Sequence, residues 1–257
     1  MESAAAPARI LILGGTGEAA QLAAALAADP RFAPVTALAG RTAKPAMLAG
    51  EVRMGGFGGV EGLVAYIREA GPRLIVDATH PFAAQIRRHA AEAAAATGVA
   101  LLRLERPAWA KQRGDRWHEV EDLPAAATLA PKLGRRAFLT VGRKEIAAFA
   151  DQPAVHYLVR LVEPPATPLP LADYHLLLER GPFDEADELQ LLRAHKIDLV
   201  IAKQSGGKAT YGKIAAARTL RLPVILQRRP ALPPGYAPTA TVATAADARA
   251  WIEKAIA

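Results

Sequence analysis

Short apolar runs alternate along the chain with longer stretches whose apolar residues recur every three or four positions. In the first part the runs are Arg9 to Leu13 (RILIL), Pro34 to Ala39 (PVTALA), Val52 to Met54, Arg73 to Val76 (RLIV) and Val99 to Leu104. Helical spacing covers Glu18 to Ala28, then Val60 to Ala70, where Leu63, Val64 and Ile67 share a face. A long helix follows and ends at Thr97, stopped by Gly98. Apolar strands alternating with helices predict parallel βαβ units, with each strand buried on both faces. In such sheets ligands collect at the carboxyl ends of the strands, and the glycine-rich loops all fall there.

The second part repeats the alternation with different spacing. Strands are expected at Arg136 to Val141, Val155 to Leu161, Tyr174 to Leu178, Leu199 to Ala202 and Val224 to Leu226. Helices are expected at Leu123 to Ala130, Lys144 to Ala150, Asp184 to Ala194, Tyr211 to Leu220 and Ala245 to Ile256. The basic, proline-containing segment Glu105 to Gly114 marks the boundary. Two proline-rich stretches, Glu163 to Pro170 and Pro230 to Pro238, read as irregular connections. The expectation is an α/β protein of two Rossmann-like domains, residues 1–106 and 107–257, with mainly parallel sheets and a cleft between them.

Composition narrows the chemistry. The chain has 257 residues and no cysteine, which excludes disulfides, thiolate metal ligation and a thiol nucleophile. Its six histidines are scattered and no two have metal-site spacing, so no metal is expected. Met1 to Ala8 lacks the basic-then-apolar pattern of a signal peptide. The longest apolar-looking run, near Ala90 to Leu102, is too short to span a bilayer. A cytoplasmic protein with no membrane partner is expected. The net charge of +7 calls for an acidic partner. The basic residues are dispersed and lack an aromatic platform, which argues against nucleic acid and for an anionic cofactor plus an anionic small substrate.

Four motifs carry the chemistry. Gly14-Gly15-Thr16-Gly17, between a strand and a helix, fits G-x-G-x-x-A from Gly15, with Ala20 in the tight helix–sheet contact. Such a loop lets the backbone and a helix N-terminus approach a pyrophosphate. The next strand would end in Asp or Glu to hold the ribose of NAD, about 20 residues on. Here it ends in Gly40-Arg41-Thr42, with Lys44 close behind. Arg41 is suited to a ribose 2′-phosphate and Thr42 adds a hydroxyl, which favours NADPH. The third motif is Asp77-Ala78-Thr79-His80-Pro81-Phe82-Ala83. Asp77 either caps the following helix or orients His80, Pro81 suits that helix's first turn, and His80 is a candidate catalytic group. The fourth is a pair of basic loops, Lys203-Gln204-Ser205-Gly206-Gly207-Lys208 and Thr140-Val141-Gly142-Arg143-Lys144-Glu145, each following a strand and suited to anionic oxygens. A Walker loop needs glycine at Ala202 and Ser or Thr at Ala209, so ATP is not indicated. The Tyr-x-x-x-Lys pair of a short-chain dehydrogenase fails at Ala215.

Together these residues resemble the precorrin-6A reductase family. The likeness rests on GGTGEA from Gly14, LAGRT from Leu38, DATHPFA from Asp77, VGR from Val141, ERGPF from Glu179 and KQSGG from Lys203, with Gln204 a minor departure. The resemblance implies NADPH on the first domain, held by Gly14, Gly15, Thr16, Gly17, Glu18, Gly40, Arg41, Thr42, Asp77 and Thr79. It also implies a polycarboxylate tetrapyrrole bound by Arg143, Lys144, Ser205, Gly206, Lys208 and Tyr211. The implied reaction reduces one carbon–carbon double bond of precorrin-6A, with hand-over to neighbouring pathway enzymes. His80 and Lys203 are the candidate catalytic groups. For the proton donor, His80, Lys203, Tyr211, an acid on the substrate and a bound water all stay open. The competing readings are a reductase for the cobalt-containing substrate and a non-catalytic NADP-binding sensor.

Overall fold

The computed structural model describes residues 6–39 and 48–256, and its first strand, β1 (Ala8–Leu13), shows how the apolar runs are used. Ile10 and Ile12 pack into one layer, against Leu22 and Leu26 of helix α1 (Gly17–Ala27). Leu11 and Leu13 pack into the opposite layer. A strand's side chains alternate between faces, so a strand covered on both sides must be apolar throughout. The chain continues through β2 (Phe32–Leu38), β3 (Glu51–Met54), α2 (Val60–Ala70), β4 (Leu74–Asp77), α3 (Ala84–Thr97) and β5 (Ala100–Leu104). Leu63 and Ile67 of α2 and Ala90 and Ala93 of α3 cover the face of Leu11 and Leu13. Gly98 ends α3 with a left-handed φ of 70°, the conformation that glycine adopts at least cost.

The second stretch runs β6 (Arg116–Val120), α4 (Leu123–Leu133), β7 (Arg136–Thr140), a 3-10 helix (Arg143–Phe149), β8 (His156–Leu161) and β9 (Tyr174–Leu178). It continues with α5 (Glu185–Ala194), β10 (Leu199–Lys203), α6 (Gly212–Thr219) and β11 (Pro223–Gln227). The same alternation holds. Leu139, Val159 and Ile201 face α4, whereas Phe138, Leu158 and Val200 face Leu192 of α5 and Ile214 of α6. The chain then closes with β12 (Ala240–Val242) and α7 (Ala245–Ile256).

The chain divides into two units, Met1–Pro107 with Ala231–Ala257, and Ala108–Pro230. The expected contiguous second domain, 107–257, is therefore corrected. β12 pairs with β5, and Ala248 and Ile252 of α7 pack in the layer of Leu22 and Leu26. The first sheet has the order β3-β2-β1-β4-β5-β12, all parallel, which is the doubly wound dinucleotide-binding order. The second has the order β9-β8-β7-β10-β11-β6, also all parallel. Each sheet has its sixth position filled out of turn, in the first by the chain's last strand and in the second by the unit's first. β6 and β12 are edge strands with polar alternation or few residues, and neither carries the apolar run of the central strands. The helix expected at Lys144 to Ala150 is a 3-10 helix over Arg143–Phe149 rather than α. α4 runs past Ala130 to Leu133, with Pro131 inside its last turn.

Candidate functional site

In the first unit the strand order reverses between β1 and β4, and the two loops leaving these strands are tied together. Thr16 is the N-cap of α1: its Oγ1 accepts from Ala19 N–H at 3.1 Å and donates to Ala78 C=O at 2.8 Å. One hydroxyl thus joins the glycine loop to the loop after β4. Gly15 has φ 107° and, like Gly17, is exposed with open space where a Cβ would stand. Gly14 is different, because a Cβ there would lie 2.8 Å from Thr36 Cγ2, so its bareness serves the packing of β1 on β2. The capping leaves the N–H groups of Gly17 and Glu18 without helical acceptors, the usual anion-binding feature of a helix start. The Glu18 carboxylate is held by Arg106 Nη1 at 2.7 Å, so Glu18 has its backbone N–H to offer a phosphate. Ala19, not Ala20, is the buried helix–sheet contact. Gly40, Arg41 and Thr42, with Lys44, lie outside the described residues.

Asp77 and Thr79 are both buried. Asp77 is 0% exposed, and Oδ1 accepts from Thr79 Oγ1 (2.6 Å), Thr79 N–H (3.1 Å) and Arg103 Nη1 (2.8 Å). Its Oδ2 accepts from Tyr236 Oη at 2.9 Å, with Arg87 Nε farther off at 3.8 Å. Arg103 also reaches Glu105 at 3.2 Å and Asp77 C=O at 3.1 Å. Buried charges persist when they are paired, and each charge here has an opposite charge within 4 Å, although Arg87 Nε and Arg103 Nη2 make no hydrogen bond among the described residues. The side-chain oxygens of both residues, expected as cofactor contacts, are engaged within the protein. Asp77 does not cap α3 either, because the N-cap position is Ala83, with no side-chain cap. Pro81 precedes the helix: Ala83 N–H donates to His80 C=O at 2.8 Å, a β-turn with Pro81 at its second position. His80 stays at the carboxyl end of β4, half-buried, its Nδ1 accepting from Phe82 N–H at 3.3 Å.

The second unit reverses between β7 and β10, and the two basic loops leave these strands. They too are joined. Lys203 Nζ donates to Glu145 Oε1 and Oε2 at 2.8 and 2.7 Å, and Glu145 Oε2 accepts from Gly142 N–H at 2.7 Å. Lys203 is therefore the bridge between the loops. Arg143, Lys144 and Lys208 are exposed. Ser205 and Gly206 are buried, and Ser205 Oγ lies 3.3 Å from Thr210 Oγ1. The Tyr211 hydroxyl is engaged by Arg218, whose Nε pairs with Asp115 at 2.8 Å.

The lysine loop is held by Trp109 and Arg229, two residues that fall in none of the sequence motifs. Gln204 exchanges hydrogen bonds with the Trp109 backbone at 3.0 and 3.1 Å, and Trp109 Nε1 donates to Gly207 C=O at 2.7 Å. Arg229 donates to Gln204 C=O and Ser205 C=O at 3.0 and 3.2 Å. Gly206 and Gly207 take positive φ in succession, which needs residues without a Cβ. Beside this loop, Arg160 joins Glu188 at 2.6 Å and Glu179 at 2.9 Å, the latter from the ERGPF motif. Burial lowers Lys213 to about 8 against the pull of Glu188, and burial raises Glu188 against the pull of Arg160 and Lys213. Lys213 Nζ donates to Thr210 C=O at 2.8 Å. A cavity of about 360 Å³ lies here, lined by Arg160, Glu179, Phe183 and Glu188 among others. Among the described residues no cluster could hold a metal ion, and no helix is long and apolar enough to cross a membrane.

The model of the family described as Precorrin-6x reductase CbiJ/CobK matches residues 9–253, across both units. The chain belongs to this family. Precorrin-6A reductase of Rhodococcus erythropolis is 51% identical over 95% of this chain and 97% of its own. A solved structure titled CobK precorrin-6A reductase superposes with a TM-score of 0.90 at 45% identity, covering 96% of each chain. Cobalt-precorrin-6A reductase of Salmonella typhimurium is more distant, 27% identical over 86% of this chain and 87% of its own.

Proposed function

We propose that the protein is a cytoplasmic reductase that uses NADPH to reduce one carbon–carbon double bond of precorrin-6A, giving precorrin-6B. The observation that supports this most is the joined pair of loops at the first unit's switch point, in a chain about half identical to precorrin-6A reductases over nearly its whole length. The residues present fit a nicotinamide dinucleotide: exposed glycines with room beside them, a capped helix start and a neighbouring loop held rigid from behind. That cofactor supplies the hydride. NADPH rather than NADH is favoured by Arg41 and Thr42, where an NAD-binding chain carries a carboxylate.

The chain's own residues bind, orient and protect. Gly15, Gly17 and the N–H of Glu18 receive the pyrophosphate, and Thr16 holds that loop against Ala78. With Nδ1 accepting from Phe82 N–H, His80 has Nε2 to offer as a hydrogen-bond donor toward the substrate. Arg143, Lys144 and Lys208 receive the macrocycle's carboxylates, and the net charge of +7 draws such a polyanion in. Lys203 keeps the two basic loops in register through Glu145.

The test is anaerobic mixing of protein, precorrin-6A and NADPH, then NADH, with absorbance of nicotinamide and macrocycle followed together. One NADPH oxidised per macrocycle losing conjugation is the expected result, with NADH slower. NADPH binding without turnover on intact substrate would refute it, and the cobalt-containing substrate would be tried next.

A further inference from the structure

The returning segment Ala231–Ala257 brings one polar side chain into the first unit's core that the reaction as described does not use. Tyr236 N–H donates to Pro233 C=O at 3.0 Å and Gly235 has φ 74°, so Pro233 to Tyr236 form a β-turn with proline second and glycine third. The turn delivers the Tyr236 ring to the layer of Leu11, Leu13 and Ile75, 9% exposed, with Arg87 5.9 Å from the ring centroid. There its hydroxyl meets Asp77 Oδ2 at 2.9 Å. Burial and the carboxylate both raise the phenol pKa, so the hydroxyl remains a donor.

The two carboxylate oxygens of Asp77 are held unequally. Oδ1 takes both Thr79 donors and Arg103, whereas Tyr236 is the close partner of Oδ2 among the described residues. Without the phenol, Oδ2 keeps the 3.8 Å contact to Arg87, and the carboxylate can turn toward it and carry Thr79 along. Thr79 follows Ala78, whose carbonyl anchors Thr16 in the glycine loop. We propose that Tyr236 is a positioning residue for the nucleotide loop, acting through Asp77, Thr79, Ala78 and Thr16 in turn. The proposal rests on the reading that the first unit binds a nicotinamide nucleotide.

Tyr236→Phe keeps the ring and removes the hydroxyl. NADPH dissociation constant, KM for each substrate, kcat and melting temperature are measured beside wild type. The expected result is a rise of roughly tenfold in the NADPH dissociation constant and KM, the scale of one hydrogen bond to a charged group, with macrocycle KM unchanged. A variant that binds NADPH as wild type does and only melts earlier overturns the proposal. A wild-type protein that binds no NADPH overturns the underlying reading as well, so the two failures are distinct. Wild-type sequence carrying 3-fluorotyrosine gives a measurement independent of the variant's folding. The fluorine resonance of Tyr236 shifts on NADPH addition if the proposal holds, and a fixed resonance overturns it.

Discussion

Thr16 offers the sharpest test of how the first unit is built, because one hydroxyl makes two bonds in two directions. Thr16→Val keeps the shape and removes both the 3.1 Å bond from Ala19 N–H and the 2.8 Å bond to Ala78. Loss of an N-cap costs about 0.5–2 kcal/mol. Loss of a neutral hydrogen bond to a carbonyl that stays part-buried costs about 0.5–1.5 kcal/mol. The sum is about 1–3.5 kcal/mol, which for a protein of this size lowers the melting temperature by roughly 2–4 °C per kcal/mol. The chain has two units, so the relevant transition is the one that NADPH moves upward in calorimetry. That transition should fall by about 4–8 °C for a loss near 2 kcal/mol, and NADPH should bind several-fold more weakly. Thr16→Ser should recover nearly all of both, since it restores the oxygen without the methyl. If Thr16→Val matches wild type in melting and binding, the link between the two loops is idle. If serine is as damaging as valine, the methyl and not the hydroxyl is what matters.

Three further perturbations separate the parts of the proposed site. Arg41→Ala should weaken NADPH by roughly 10- to 100-fold and NADH little, the range for one charge-assisted contact; equal losses in a fluorescence titration would remove the 2′-phosphate assignment. Lys203→Ala should raise the macrocycle KM while leaving NADPH affinity alone, and Glu145→Gln should reproduce most of that defect, because the lysine bridges the loops through this carboxylate. A normal Glu145→Gln enzyme beside a dead Lys203→Ala enzyme would instead put Lys203 in contact with the reacting atoms. Lys213 is held at about 8, below its ordinary 10.5, so between those values the unfolded chain binds a proton that the native one does not. Stability of the second unit should therefore rise with pH across that window, by at most about 3 kcal/mol. Lys213→Met should flatten the rise in denaturant titrations at pH 8 and 10, and an unchanged slope would show that the lysine keeps its charge.

Much of the architecture is legible in local pattern. The runs at Ile10, Val76, Leu139 and Ile201 are apolar on both faces, and only a sheet covered on two sides uses strands of that kind. The loops at Gly14 and Lys203 sit at strand ends because glycine and lysine interrupt those runs, so the switch-point loops follow from the order of the elements. Some signals were present and went unread. Arg103 stands in an otherwise apolar strand, and a charge there requires a buried partner. Pro-Pro-Gly-Tyr ending at Tyr236 is a turn sequence with an aromatic at its exit.

What tertiary structure alone decided is which distant residues meet. Asp77 looked like a ligand or a cap, and it became the centre of a buried cluster because Arg103 and Tyr236 arrive from elsewhere in the chain. Lys203 stands in the sequence as a candidate catalytic group of a basic loop, and folding sets Glu145 of the companion loop beside it. The return of β12 and α7 to the first sheet is of the same kind. β5 leaves an edge whose N–H and C=O groups need a partner, and the last strand satisfies it across more than a hundred residues of intervening sequence. Periodicity reports whether a residue faces a core, because that depends on its near neighbours along the chain. The partner of a buried charge or an open strand edge is set by long-range pairing, which no local pattern records.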